Sequence, residues 1–181
     1  MPFILVLILM VSNSVSASGV KPPENEGVPI VGMVERPSEY RHDDIDIKIQ
    51  NDGEKIIVDA SFTVPVAPHH AWAVLTDFDN TPSFMSSVQS SKITHTTGNH
   101  LQVSQKGVTK YGLFIFSFDS VREISLSPFK KIRERMISGN MRAMEETTQL
   151  LPEGNQTRII YHANIIPNTW ILKFAGRIFI E

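Results

Sequence analysis

Residues 58–85 constrain the fold most, because their apolar pattern changes from a strand period to a helix period over a few positions. Every second residue from 58 to 64 is apolar, which is typical of a half-buried strand. Pro65 ends this strand, and Pro68 fits the first turn of a helix, where a missing N–H costs little. The segment therefore predicts a strand that leads directly into a helix.

One face of this helix is apolar and is expected to be buried. It carries Ala71, Trp72, Leu75 and Phe78. Asp79 is predicted to be the N-cap of a second short helix, with Pro82 in its first turn. The pattern thus predicts one strand followed by two short helices.

Length and composition limit the class of protein. With 181 residues, 41% of them hydrophobic, the chain can fill one core, and we expect a single domain. The chain has no cysteine, which excludes disulfides, a thiol nucleophile and a cysteine zinc site. The formal net charge is −2 and the basic residues are scattered, so we expect no nucleic-acid partner.

The N-terminal part of the chain is predicted to lie outside the domain. Residues 1–17 combine an apolar run with small residues before a predicted cleavage site after Ala17, as in a signal peptide. We therefore expect export, to the periplasm or as a secreted protein. Residues 18–44 are rich in Pro, Gly and charge and are expected to form a linker or an N-terminal arm. The domain is expected over residues 45–181.

An antiparallel meander of six strands is predicted after the two helices, because alternating apolar patterns are joined by short turns. Another hairpin, turning at residues 51–53, is predicted before the helices. The six strands are predicted over residues 87–96, 100–106, 111–126, 129–138, 141–151 and 157–166.

The last residues predict a helix that lies on the sheet. Trp170, Phe174 and Ile178 recur at four-residue spacing after a break at Pro167. This helix would be only about 20 Å long at about 1.5 Å per residue, which is short for crossing a whole sheet. We therefore expect that the C-terminal helix is truncated in this chain.

This order of elements and two motifs resemble the START-like (SRPBCC, helix-grip) superfamily, in particular its polyketide cyclase/dehydrase and coenzyme-Q-binding branch. The first motif consists of Val64-Pro65, Trp72-Ala73-Val74-Leu75-Thr76-Asp77-Phe78 and Pro82-Ser83-Phe84, and the second of Leu151-Pro152-Glu153-Gly154, Thr157-Arg158 and Tyr161. The resemblance implies an α+β helix-grip fold. In this fold a curved antiparallel β-sheet carries two short helices after its first long strand, and a C-terminal helix packs over the concave face.

The resemblance also implies a function. We expect binding or transport of a hydrophobic small molecule, lipid or quinone-like, in a cavity between the sheet and the C-terminal helix. A cyclase/dehydratase-like enzyme that uses a pocket carboxylate and a protein-interaction module are the alternatives. No cofactor is expected, and we expect a monomer with transient membrane contact. Where related sequences often have Gly-x-Trp, this chain has Glu146-Thr147-Thr148, which implies a wider or more polar cavity.

The residues expected to line this cavity belong to the apolar faces of the helices and strands. They are Trp72, Phe84, Phe114, Phe116, Phe118, Arg122, Met144, Thr148, Leu150, Tyr161, Trp170 and Phe174.

Glu134 and Glu146 are the candidates for a catalytic acid or base, and Arg122 could pair with either as a polar anchor. Two-residue turns at residues 127–128 and 139–140 would instead turn neighbouring arginines inward, Arg133 and Arg135, and a bulge at either turn would reverse this. We expect all of these to be solvated charges of the sheet.

The histidines offer little for catalysis or metal binding. His95 and His100 flank a predicted hairpin turn and could face each other, but no third ligand is evident and no metal is expected. His162 has the parity opposite to that of Tyr161 and is expected on the outer face of the sheet.

Overall fold

Eight strands and two short helices make up the regular structure in a computed structural model, which describes residues 45–111 and 114–168 and, of these, the side chains other than those of 109–116. In chain order the elements are β1 (Asp46–Asp52), β2 (Lys55–Val64), α1 (Pro68–Leu75), α2 (Thr81–Phe84), β3 (Val88–Thr97), β4 (His100–Tyr111), β5 (Phe114–Ser127), β6 (Lys131–Gly139), β7 (Ala143–Glu153) and β8 (Gln156–Ile166). The predicted signal peptide, N-terminal arm and C-terminal helix lie outside the described residues. Neither described helix has the length and apolar character needed to cross a membrane.

All eight strands form one antiparallel sheet in the order β1-β2-β8-β7-β6-β5-β4-β3. Strands β3 to β8 are neighbours in chain order, and β8 returns to pair with β2. The six-strand meander, the preceding hairpin and the two helices between them are thus confirmed. Several boundaries differ. The largest difference is in β4, which was predicted to end at 106 and continues to Tyr111, where it pairs with Phe114, the first residue of β5. Strands β6 and β7 each begin two residues later than predicted.

The pairing register puts the apolar residues of successive strands on one side of the sheet. Ala60 pairs with Tyr161, and Tyr161 pairs with Thr148, so all three share a face and all three are buried. We call this side the concave face and the opposite side the convex face. His162 lies on the convex face, as predicted, with its side chain 46% exposed.

Helix α1 covers one end of the concave face. Ala71 packs with Leu150 and Ile159, and Phe78, which follows the helix, is only 2% exposed. Trp72 and Leu75 complete this contact, which confirms the predicted apolar face of the helix.

Asp79 has a different role from the predicted one. Asn80 occupies the N-cap position of α2. The Asp79 carboxylate instead accepts the backbone N–H of Ile93 at 2.7 Å and the Lys92 ammonium at 3.2 Å. The hydrogen bond from Ile93 lowers the pKa of Asp79. Asp79 therefore links the segment between α1 and α2 to β3.

Gly107 allows a close approach between β4 and the segment before β3. The backbone N–H of Val108 donates to the Ser87 carbonyl at 2.8 Å. A Cβ atom at position 107 would lie 2.1 Å from that carbonyl oxygen and 2.4 Å from the Phe118 ring. Only glycine fits this position without a shift of the backbone.

Candidate functional site

Polar and charged side chains form a buried cluster on the concave face. Arg122 is 0% exposed, and Glu134 and Glu146 are each 4% exposed. Apolar side chains of the same face surround them, such as Ile124 and Ile132. Burial of a charge is costly unless the charge is paired. The hydrogen bonds and ion pairs inside the cluster therefore determine its possible chemical roles.

Arg122 is the centre of a hydrogen-bonded chain that crosses four strands. Its Nη1 donates to Glu134 Oε2 at 2.6 Å, and its Nη2 donates to Gln105 Oε1 at 2.6 Å. The amide nitrogen of Gln105 then donates to Ser91 Oγ at 2.8 Å. The chain therefore runs from β6 through β5 and β4 to β3 and holds the guanidinium in a defined orientation.

The turn between β5 and β6 explains why Glu134 faces inward. Ser127 pairs with Lys131, which leaves three residues in the turn, and the middle one, Phe129, has φ 60°. Leu126 therefore pairs with Ile132, whereas a two-residue turn at residues 127–128 would have paired it with Phe129; the register of β6 is shifted by three positions, and an odd shift exchanges the two faces of the strand. Glu134 therefore takes the buried position.

This register corrects the prediction that the charges of these strands are solvated. Arg133 and Arg135 are exposed, whereas Arg122, Glu134 and Glu146 are buried. The prediction was wrong for these three residues. For Glu134 the reason is the turn before β6, whose length decides which parity faces inward. Arg122 and Glu146 share the parity of buried neighbours in their own strands, and their burial was not expected because a buried charge is costly.

Glu146 lies directly opposite Glu134 in the register of β6 and β7. Burial, together with the neighbouring charge of Glu134, raises the pKa of Glu146. Burial acts in the same direction on Glu134, but positive charge, that of Arg122 included, outweighs it, and the pKa of Glu134 lies below its ordinary value. The two carboxyl groups therefore differ: Glu134 is held ionised, and Glu146 takes up a proton more readily.

Tyr161 reaches the same cluster from β8. Burial and the nearby carboxyl group of Glu146 raise the pKa of the Tyr161 hydroxyl well above its ordinary value, so it keeps its proton. Within the described part of the chain, the hydroxyl makes no hydrogen bond of good geometry. The same holds for Arg122 Nε and Ser120 Oγ, which are also buried. Arg122 Nε and Ser120 Oγ are thus buried donors without a partner among the described residues, whereas the Tyr161 hydroxyl interacts with the Glu146 carboxyl group.

The described residues of the expected cavity lining fall into two groups. The buried ones are Phe118, Arg122, Met144, Thr148, Leu150 and Tyr161. Trp72 is partly buried, with its ring 5.8 Å from that of Phe129, and Phe84 is 45% exposed. The side chains of Phe114, Phe116, Trp170 and Phe174 lie outside the described part of the structure.

Three polar residues of the concave face were not predicted from the sequence: Ser91, Gln105 and Ser120. Gln105 lies on the same face of β4 as Leu101 and Val103, and this shared parity was the sequence signal for its burial. Polar side chains at inward positions were not considered there, because a glutamine in a strand is usually solvated.

The two hairpin histidines do not face each other. A bulge in β3 places His95 opposite Gln102, where its Nε2 contacts Thr97 Oγ1 at 3.1 Å. His100 contacts Ser125 Oγ at 3.1 Å instead. Among the described residues, no group of three or more His, Asp or Glu side chains could hold a metal ion.

The curved antiparallel sheet and the two helices after its first long strand define a START-like protein of helix-grip fold. A family model described as "Polyketide cyclase / dehydrase and lipid transport" matches residues 64–181, and the chain belongs to this family. The comparison with curated proteins found no match.

Solved structures with the same fold include proteins of different function. A STAR-related lipid transfer protein (fragment 25–204) from Xanthomonas axonopodis is 11% identical, with a TM-score of 0.59 over 76% of this chain and 88% of that chain. A START superfamily protein from Mycobacterium smegmatis is 14% identical, with a TM-score of 0.54 over 67% and 87%. The Zhui aromatase/cyclase from Streptomyces sp. R1128 is 13% identical, with a TM-score of 0.55 over 64% and 70%. Identities this low show the fold alone.

Proposed function

We propose that this protein binds or transports a hydrophobic small molecule, lipid or quinone-like, on the concave face, with the predicted C-terminal helix as a lid. The observation that carries this proposal is Arg122, a fully buried guanidinium whose Nε has no partner among the described residues. Family membership and a fold that is also used by the lipid transfer protein of Xanthomonas support it.

The composition of the concave face suits such a ligand. Small-molecule sites are mostly apolar and carry a few polar groups that fix the orientation of the ligand. Here Ile124, Ile132 and Leu150 supply buried apolar surface, and Arg122 and Tyr161 supply the polar groups. A buried ion pair adds little to stability when compared with apolar residues of the same volume. Binding is therefore a better reason than stability for a charge at this position.

Native mass spectrometry of the purified full-length protein tests the proposal, together with organic extraction and mass analysis of what is released. We expect an apolar molecule to copurify, and the same site to refill after delipidation when a total lipid extract is added. A protein that stays empty under both conditions would overturn the proposal.

A second candidate function is a cyclase/dehydratase-like reaction on a polyketone. It is favoured by the two facing carboxyl groups, Glu134 and Glu146, whose pKa values are shifted in opposite directions, as a general base and a general acid require. Loss of turnover in Glu146→Gln with unchanged binding would support it. Turnover that survives both Glu134→Gln and Glu146→Gln would remove it.

We also propose that the protein is exported after cleavage of residues 1–17. Mass spectrometry of the mature chain should then find Ser18 as its first residue. An intact Met1 in exported protein would contradict this.

A further inference from the structure

The turn between β5 and β6 presents an aromatic side chain to solvent. Phe129 is 52% exposed, and its φ of 60° is a conformation that a bulky residue rarely adopts and that glycine adopts without strain. The ring has an aromatic neighbour, Trp72, at 5.8 Å, but about half of the side chain remains in water. Packing inside the domain therefore uses only part of this ring, and the backbone of the turn does not favour it.

A second exposed apolar side chain lies beside this turn. The backbone N–H of Leu150 donates to the Lys130 carbonyl at 2.9 Å, which continues the pairing of β6 with β7 beyond the first residue of β6. The next position in this register puts Leu151 opposite Phe129. Leu151 is 41% exposed. The two side chains therefore give this end of the sheet a small exposed apolar surface.

Positive charge flanks these two apolar side chains. Lys130 and Lys131 follow the aromatic residue directly, and Arg133 lies on the exposed face of β6. Within the described part of the chain, none of the three forms an ion pair. Glu123 and Glu153, on the two neighbouring strands, are bound by other arginines. The positive charge at this end of β6 is therefore left for a partner outside the domain.

We propose that Phe129, Leu151, Lys130, Lys131 and Arg133 form a surface that docks the protein on a membrane containing anionic lipids. We call these five residues the turn surface. Exposed aromatic and aliphatic side chains enter the boundary between headgroups and acyl chains, and cations beside them attract anionic headgroups. Either signal alone gives weak binding, whereas the two together give binding that is stable and reversible.

The turn surface lies at one end of the concave face. Trp72, the neighbour of the Phe129 ring, packs against the apolar cluster that contains Ile124 and Ile132. A membrane docked at the turn is therefore next to the face that binds the apolar ligand. In this respect the inference rests on the proposed function, because it names the membrane as the place where that ligand is taken up or released.

A fluorescent label beside the turn tests the proposal. The chain has no cysteine, so Ser127→Cys gives the full-length protein a single thiol for an environment-sensitive dye. Ser138→Cys, an exposed position at the opposite end of β6, is the matched control. Vesicles of phosphatidylcholine and phosphatidylglycerol should shift the emission at 127 to shorter wavelength and leave the emission at 138 unchanged. Because the signal depends on position, binding of vesicles by the apolar residues 3–11 does not imitate it.

A pair of double variants tests the contribution of charge. In the protein labelled at Ser127→Cys, Lys130→Gln/Lys131→Gln should raise the vesicle concentration at half-maximal response by about tenfold. Lys48→Gln/Lys55→Gln makes the same change in net charge on β1 and β2 and should leave this concentration unchanged. Vesicles of phosphatidylcholine alone should give a much weaker response in all of these proteins.

A pair of single variants tests the contribution of the aromatic ring. Phe129→Ala should weaken the response several-fold, whereas Ile137→Ala, which removes another exposed apolar side chain of β6, should leave it unchanged. Binding of cetyl alcohol, an apolar probe with one uncharged polar end, should be the same in both variants when measured by native mass spectrometry. This result would separate docking from ligand binding.

Equal responses at positions 127 and 138, or equal effects of the two lysine pairs, would overturn the inference and leave the proposed function intact. A response of the dye at 127 to protein concentration alone, without vesicles, would make the turn surface an interface between copies of this chain and would also overturn the inference. Absence of any copurifying apolar molecule, with docking retained, would instead count against the proposed function.

Discussion

The two faces of the sheet carry ion pairs of almost the same length in opposite surroundings. On the concave face, Arg122 and Glu134 are 2.6 Å apart with side chains 0% and 2% exposed. On the convex face, Arg135 and Glu123 are 2.7 Å apart with side chains 63% and 54% exposed. Both pairs join β5 to β6, so the alternation of side chains along the strands alone decides which pair loses its water.

The difference shows that the distance between two charged groups does not determine how much their ion pair contributes to stability. In the exposed pair, water screens the attraction, and such pairs often add nothing measurable to stability. In the buried pair the attraction is strong, but both groups have lost their hydration, so the net gain is small and the loss on removing one partner is large. A buried pair is therefore informative about function, whereas an exposed pair is not.

The largest effect is expected when one partner of the buried pair is removed. Glu134→Gln leaves the Arg122 guanidinium buried without a counterion at its Nη1, and the free energy of unfolding should fall by about 3 kcal/mol. Urea denaturation followed by circular dichroism measures this. Glu123→Gln, the matched change on the convex face, should leave the midpoint unchanged. Equal denaturation midpoints for the two variants would contradict the predicted difference in stability between the two faces.

A pH dependence of stability should come from Glu146 on the concave face. Because its pKa is raised in the folded protein, the folded state binds this proton more readily than the unfolded chain, and stability from this group falls as pH rises from about 4.5 through the raised pKa. Glu146→Gln removes that contribution. Denaturation midpoints measured against pH should therefore show the variant gaining on the wild-type protein as pH rises. Parallel curves would contradict this.

A smaller change in stability is expected for Tyr161→Phe, which removes a buried hydroxyl beside the Glu146 carboxyl group. The free energy of unfolding should stay within about 1 kcal/mol of the wild-type value. Binding of cetyl alcohol should weaken, because one polar group of the proposed site is lost. Thr147→Val removes a hydroxyl from the opposite face of β7 and should leave binding unchanged. A stable Tyr161→Phe variant with unchanged binding would place the ligand elsewhere.

The smallest effect is expected on the convex face at His162. Its Nδ1 lies 2.7 Å from Asp59 Oδ1, and both side chains are 46% exposed. His162→Ala should lower the free energy of unfolding by less than about 1 kcal/mol and should not change ligand binding. Thermal unfolding and the same binding assay measure both quantities. A loss comparable to that of Glu134→Gln would show that solvent exposure does not distinguish the two faces.

Much of the fold could be predicted from local sequence patterns. The alternation from 58 to 64 and the helical face around Trp72 specify the strand and the helix that follows it, and the short turns specify a meander. The composition of the polar cluster could not be predicted in the same way. It depends on the three-residue turn at Phe129, and a residue other than glycine with a positive φ is uncommon and leaves no clear pattern.

The cluster also depends on contacts between strands that are distant in the chain. Gln105 and Glu134 meet at Arg122 only after β4, β5 and β6 have paired in one register. No single segment has a pattern that predicts this arrangement, because within its own strand each of these side chains is only one polar residue.

One measurement tests most directly whether the concave cluster exists for ligand binding. The double variant Arg122→Met/Glu134→Leu replaces both members of the buried pair, so no charge of this pair is left alone, and it should be more stable than Glu134→Gln, although Gln105 Oε1 loses its donor. Native mass spectrometry with cetyl alcohol should show about tenfold weaker binding for this variant. The convex-face variant Arg135→Met/Glu123→Leu should bind like the wild-type protein. Equal binding by all three proteins would contradict the account.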